Sequence, residues 1–94
     1  EKIKKRCVSL SDPGYLKQKD IWNVELLSMR GSKEASLWWH PLHGGELREI
    51  RLTRSSDFVF RGEIPAETFG ESFVYQFALD GEKERKERTI LILS

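Results

Sequence analysis

The sequence has almost no cysteine and no glycosylation motif. Cys7 is the only cysteine among the 94 residues, so no disulfide can form within the chain. Asn23 is followed by Val24 and Glu25, which does not fit the Asn-x-Ser/Thr pattern of N-glycosylation. The lack of both features favours a reducing, intracellular setting.

Net charge and long apolar runs are also missing. Sixteen Lys and Arg residues oppose fifteen Asp and Glu, for a net charge of +1. The chain therefore lacks the broad positive field on which binding to a phosphate backbone depends. No apolar run approaches the roughly 18 residues of a membrane span, and the basic residues 1–6 lack the apolar stretch of a signal peptide. We expect neither nucleic acid nor a membrane as a partner.

The chain contains enough aromatic and aliphatic residues to form one hydrophobic core. Five Phe, three Trp and two Tyr are present in a chain of 11.0 kDa. A chain of this size forms one domain, which needs neither a metal nor a disulfide for stability. The first residue is not Met, and the last follows an apolar run at residues 90–93. We therefore expect residues 1–94 to be a single module excised from a larger protein.

Alternation of apolar and polar residues recurs at intervals of about ten residues, separated by turn signals. This pattern predicts an all-β sandwich of about seven antiparallel strands. The predicted strands cover residues 2–10, 21–27, 35–40, 47–53, 58–64, 73–79 and a returning strand that includes 90–92. A short helical turn is expected within residues 65–71.

The same alternation divides the residues of each strand between a core face and an outer face. Residues assigned to the core include Leu37, Trp39, Phe58, Phe60, Ile64, Phe73, Tyr75, Phe77 and Leu79. Asp80-Gly81 after the 73–79 strand is a strong signal for a two-residue hairpin, with Gly81 at positive φ.

The second half of the chain resembles the early-set, immunoglobulin-like β-sandwiches, in particular the glycogen- and starch-binding modules. The residues that carry this resemblance are Tyr75, Phe77, Leu79, Asp80 and Gly81, preceded by the Ile64-Pro65 step. The resemblance implies an early-set sandwich that binds a glucan-type carbohydrate. Residues 40–50 lack the Gly-x-Phe-Asn-x-Trp segment of those modules, and residues 35–45 are similar to fibronectin type III-like modules. That second likeness implies an interaction or spacer module.

Two residues are the candidate ligand-binding residues, Trp38 and His40. Trp38 and Trp39 are adjacent, so a strand places them on opposite faces, and Trp39 joins the core. Trp38 then shares the outer face with Ser36 and His40. An indole in that position is suited to stack on a sugar or to anchor a protein partner. The alternative is that a neighbouring strand, loop or adjoining domain covers Trp38.

No pattern indicates an enzyme, a metal site or a cofactor. His40 and His43 are separated by Pro41, and no Cys or carboxylate cluster lies near them to complete a metal site. Cys7 and the scattered Glu residues form no catalytic constellation. The sequence therefore predicts a non-catalytic accessory module that binds a glucan-type carbohydrate. The alternative is a fibronectin type III-like interaction or spacer module that binds a protein partner or an adjacent domain.

Overall fold

The computed structural model describes residues 7–9, 13–28, 32–84 and 86–93, with the backbone alone at residues 7–9. This part of the chain contains nine strands and one 3₁₀ turn. The strands are β1 (Cys7–Ser9), β2 (Tyr15–Lys17), β3 (Ile21–Ser28), β4 (Ala35–Pro41), β5 (Arg48–Ser56), β6 (Val59–Pro65), β7 (Phe73–Leu79), β8 (Glu82–Lys83) and β9 (Arg88–Leu93). The predicted all-β class is confirmed. Of the first predicted strand only β1 is described, and residues 2–6 and 10 lie outside the described residues.

The strands form a sandwich-like arrangement that turns at β5. The strand order is β1-β3-β6-β5-β4-β7-β9-β2, and β8 pairs with β7. The first part of β5 pairs with β4 from Arg48 to Leu52, and its last part pairs with β6 from Thr53 to Ser56. β5 therefore belongs to two layers: β1-β3-β6-β5 and β5-β4-β7-β9-β2. All pairs are antiparallel except β2 with β9, which is parallel.

One hydrophobic core lies between the two layers. The rings of Phe69 and Phe73 are stacked with their centroids 3.7 Å apart, and Trp39 meets Phe69 edge-on at 4.9 Å. Phe69 follows the 3₁₀ turn at Ala66–Thr68, which confirms the helical turn expected within residues 65–71. Eight of the nine residues named as core from the sequence lie together in this cluster: Leu37, Trp39, Phe60, Ile64, Phe73, Tyr75, Phe77 and Leu79.

Phe58 is the exception among the predicted core residues, because 51% of its surface is exposed. β5 extends to Ser56, with a shift of register between Arg54 and Ser56. The turn therefore falls at Asp57 and Phe58, whereas the predicted strands place it at residues 54–57. As a result β6 begins only at Val59. The prediction for Phe58 is wrong because Phe58 lies in a turn and not in the strand.

The hairpin after β7 forms as the sequence predicts. Asp80 has φ 51° and Gly81 has φ 84°, and both residues of a type I′ turn require positive φ. The turn pairs Ala78 with Lys83 and Leu79 with Glu82, which defines the short strand β8. The hairpin prediction for Asp80-Gly81 is therefore confirmed.

Replacing Gly81 by Val should lower the free energy of unfolding by about 2 kcal/mol, because a left-handed backbone crowds the Cβ atom of any L side chain. A β-branched side chain suffers most from this crowding. Chemical denaturation measures the change. The matched control is Glu82→Ala, an exposed neighbour that should change stability by less than about 0.5 kcal/mol. Equal effects of the two substitutions would place the turn elsewhere.

Helical structure is confined to three residues in the described ranges, Ala66–Thr68. No helix in those ranges is long and apolar enough to cross a membrane.

Candidate functional site

Trp38 and His40 both lie on the outer face of β4, opposite the core. Leu37 and Trp39, which alternate with them, are buried in the core. Cross-strand pairing places other side chains on the same outer face, because directly opposed residues point the same way. We call this surface the Trp38 face, and it comprises Ser36, Trp38, His40, Glu49, Arg51, Val74, Gln76, Ala78, Lys83 and Thr89.

All three tryptophans lie in the described ranges, and among them Trp38 alone has an indole that is more than marginally exposed. The indoles of Trp22 and Trp39 are buried, with 3% and 5% of their surface exposed, whereas Trp38 is half-buried. The ammonium group of Lys83 lies over the Trp38 ring, 4.5 Å from its centroid. One ring face is therefore covered by a cation–π contact. The contact between Lys83 and Trp38 was not predicted from the sequence. The Asp80-Gly81 turn brings it about by placing Lys83 opposite Ala78.

His40 is half-buried beside Trp38. Its Nδ1 atom lies 2.8 Å from the carbonyl oxygen of Pro41. A carbonyl oxygen only accepts hydrogen bonds, so Nδ1 carries the proton and donates it. This bond fixes the ring and leaves Nε2 as its second polar atom.

His43 does not join His40 in a site. His43 is 81% exposed, and its Nε2 atom lies 3.0 Å from a carboxylate oxygen of Glu71. No group of three or more His, Cys, Asp or Glu side chains in the described ranges is arranged to hold a metal ion.

Two polar residues of the Trp38 face, Glu49 and Gln76, flank the indole of Trp38 on neighbouring strands. In the ladders Trp38 is opposite Glu49 on β5 and opposite Gln76 on β7. The side-chain amide of Gln76 donates to the carbonyl oxygen of Glu84 at 2.9 Å, which holds the Gln76 side chain in place. The indole thus stands between a carboxylate and an amide, two groups that form hydrogen bonds with hydroxyls.

An exposed apolar strip continues the Trp38 face towards β9 and β2. Tyr15 on β2 is opposite Leu91 on β9, and Leu93 lies two residues further along the same face. These side chains are 52%, 47% and 43% exposed, respectively. Tyr15 was not predictable here, because residues 15–17 are too few to show alternation and their partner strand is distant in sequence.

The opposite outer face, on β3 and β6, carries a groove of different character. The groove has a volume of about 670 Å³ and is lined mainly by Asn23, Glu25, Thr53, Arg61 and Glu63. Arg61 and Glu25 form an ion pair across it with an N–O distance of 2.8 Å. None of the described residues that line this groove is aromatic. It lacks the stacking surface that the Trp38 face provides.

Comparison with protein-family models finds no match, and neither does comparison with curated proteins. Solved structures with the same fold include the following two. One is the crystal structure of an engineered protein, with a TM-score of 0.64 and 6% identity, covering 97% of this chain and 20% of that one. The other is the endo-β-1,4-mannanase from Thermotoga petrophila, with a TM-score of 0.64 and 8% identity, covering 100% of this chain and 21% of the mannanase chain. This chain therefore spans about a fifth of each protein, and the likeness shows the fold alone.

Proposed function

We propose that the chain is a non-catalytic recognition module that binds a glucan-type carbohydrate through the Trp38 face. The observation that carries this proposal is the half-buried indole of Trp38 on the outer face of the sheet, between Glu49 and Gln76. An aromatic ring stacks on the apolar face of a sugar, and flanking carboxylate and amide groups form hydrogen bonds with its hydroxyls. His40 adds a second ring with a fixed orientation on the same surface.

Strand order supports an immunoglobulin-like, early-set kinship for this module. In immunoglobulin constant-type sandwiches, one sheet has the order A-B-E-D and the other contains C, F and G. The first layer here has the order β1-β3-β6-β5, and the second contains β4, β7 and β9 as neighbours. In the first layer β1, β3, β6 and β5 correspond to strands A, B, E and D. In the second layer β4, β7 and β9 correspond to strands C, F and G. The resemblance of residues 64–81 to the glycogen- and starch-binding modules agrees with this order.

An accessory role within a larger protein is part of the same proposal. In each of the two solved structures the matching region is about a fifth of the chain, and one of the two is a mannanase by name. A module of this kind holds a catalytic neighbour near its polymer and needs no catalytic residues of its own.

Intrinsic tryptophan fluorescence, titrated with glucan oligosaccharides, tests the proposal. Because Trp22 and Trp39 are buried, a ligand on the outer face should change mainly the emission of Trp38. We expect a saturable change in the wild-type protein. A dissociation constant of about 1 mM corresponds to a binding free energy of roughly 4 kcal/mol. No change in fluorescence at millimolar sugar would therefore contradict sugar recognition.

Replacing Trp38 by Ala should separate stability from binding. The substitution removes a surface cation–π contact, so the free energy of unfolding should fall by no more than about 1 kcal/mol. Binding should weaken by about 1–3 kcal/mol, the usual contribution of a stacked or anchoring aromatic side chain. Affinity is measured by calorimetry and stability by chemical denaturation. The matched control, Trp39→Ala, removes a buried indole and should destabilise the fold by about 3–5 kcal/mol. If Trp38→Ala unfolds the domain to the same extent, the indole is structural.

The second candidate function is a fibronectin type III-like interaction or spacer module. The exposed strip of Tyr15, Leu91 and Leu93 favours it, because aromatic and aliphatic side chains grouped on one face are typical of protein contacts. A protein partner or an adjacent domain would then cover this strip. A Leu91→Asp substitution should weaken such a contact and leave sugar binding at Trp38 unchanged, so the two functions are separable.

A further inference from the structure

We infer that Lys83 makes the Trp38 face selective for acidic saccharides, which carry a carboxylate on the sugar ring, over neutral ones. This inference rests on the proposed function, since it assumes that a sugar stacks on Trp38. It adds the class of sugar. Lys83 lies on β8, outside the strand that carries Trp38 and His40, the two candidate residues predicted from the sequence.

The ammonium of Lys83 lies next to the stacking surface and is not neutralised by a neighbouring carboxylate. It is 4.5 Å from the centroid of the Trp38 ring. Among the described residues it forms no ion pair. Two acidic residues flank Lys83 in the chain, Glu82 and Glu84. The Glu84 carboxylate is bound to Arg88 Nη1 at 2.7 Å and to the backbone N–H of Phe77 at 2.9 Å. Lys83 therefore has a full positive charge available for an anionic ligand.

A sugar that stacks on the ring face under Lys83 must displace the ammonium. For a neutral sugar this displacement costs the cation–π contact and gives nothing in return. For an acidic sugar the displaced ammonium stays within reach of the ring carboxylate and forms a charge-assisted hydrogen bond with it. Lys83 is exposed, so its long side chain has room in solvent to move aside. The same residue thus disfavours one class of sugar and favours the other.

Glu49 is the opposing charge at this site. It is exposed and stands opposite Trp38 on β5, so it repels an anionic ligand. The arrangement therefore predicts an acidic sugar whose carboxylate lies towards Lys83 and away from Glu49, on the side of the face that also carries Arg51. A Glu49→Gln substitution should strengthen binding of an acidic sugar and leave a neutral sugar nearly unaffected.

The test uses two oligosaccharides of equal length and linkage: a β-1,4-linked glucose oligomer and its counterpart oxidised at C6 to glucuronate. Affinities are measured by calorimetry at low ionic strength, where charge interactions are least screened. We expect the acidic oligomer to bind the wild-type protein on the order of tenfold more tightly than the neutral one. In Lys83→Gln this preference should vanish. In the control Lys19→Gln, which makes the same change of charge in the exposed turn before β3, the preference should remain.

Every outcome either supports or overturns the role of Lys83 in selecting an acidic sugar. Saturable binding of both oligomers with equal affinity, or a preference that survives in Lys83→Gln, overturns the role of Lys83 and leaves sugar recognition intact. Absence of binding by either oligomer overturns the proposed function and this inference with it. Circular dichroism of the two Lys variants verifies that each remains folded, so that a lost preference reflects the charge at position 83.

Discussion

Replacing Phe77 by Ala is expected to lower the free energy of unfolding by roughly 3–5 kcal/mol, the usual cost of truncating a buried aromatic side chain. Phe77 has no exposed surface and stands opposite Leu37 across the β4–β7 ladder. Its ring meets Tyr75 edge-on with centroids 5.5 Å apart. Truncation therefore leaves a cavity that rigid strands on both sides prevent from closing.

Urea denaturation measures this loss, with the slope of the transition compared to verify that the unfolded state is unchanged. The matched control is Phe58→Ala, because Phe58 is half-exposed in a turn and should cost less than about 1 kcal/mol. A loss under about 1 kcal/mol for Phe77→Ala would mean that the strand is shifted by one residue, with Phe77 on the outer face.

Replacing Glu84 by Ala should cost about 2–4 kcal/mol, because its carboxylate completes the β7 ladder. The N–H of Glu84 donates to the carbonyl oxygen of Phe77 at 2.9 Å, as in a regular hairpin. In return, the N–H of Phe77 donates to the Glu84 carboxylate and not to its backbone carbonyl, which accepts from Gln76 instead. The same carboxylate pairs with Arg88, and both side chains are only 15–16% exposed.

Two variants resolve the contributions of charge and hydrogen bonding at Glu84. Glu84→Gln retains an acceptor for the N–H of Phe77 but loses the charge that pairs with Arg88, so its cost should be intermediate. Glu87→Ala removes an exposed carboxylate of the same loop and should change stability by less than about 0.5 kcal/mol. Thermal or chemical denaturation compares the three. If Glu84→Ala were as mild as Glu87→Ala, the carboxylate would not support the ladder.

The parts of the fold that the sequence predicted well are those decided by local patterns. Alternation located β3, β4 and β7 to within a residue or two, because each has one buried face and a period of two. The Asp80-Gly81 turn was predictable because few other residue pairs accept positive φ at both positions. The placement of Trp38 on the outer face and of Trp39 in the core follows from the same period of two.

The parts that the sequence did not predict depend on contacts between distant segments. β2 is three residues long and pairs in parallel with β9, more than seventy residues later in the chain. The position of Phe58 depends on a register shift in β5 that alternation cannot show. The Lys83 contact with Trp38 and the Glu84 bond to Phe77 require the hairpin to be placed against its neighbours. Long-range register therefore decides the details of the candidate site, although local pattern locates its central residue.

The central claim is that Trp38 lies on a recognition surface separate from the core. The most direct measurement is two-dimensional ¹H–¹⁵N NMR of the wild-type protein during titration with the neutral and the glucuronate oligomers. We expect saturable shifts of the Trp38 indole N–H and of backbone amides around His40, Gln76 and Lys83, while the indole signals of Trp22 and Trp39 stay in place. Shifts confined to the groove near Arg61 on the opposite face, or no shifts with either oligomer, would contradict the claim.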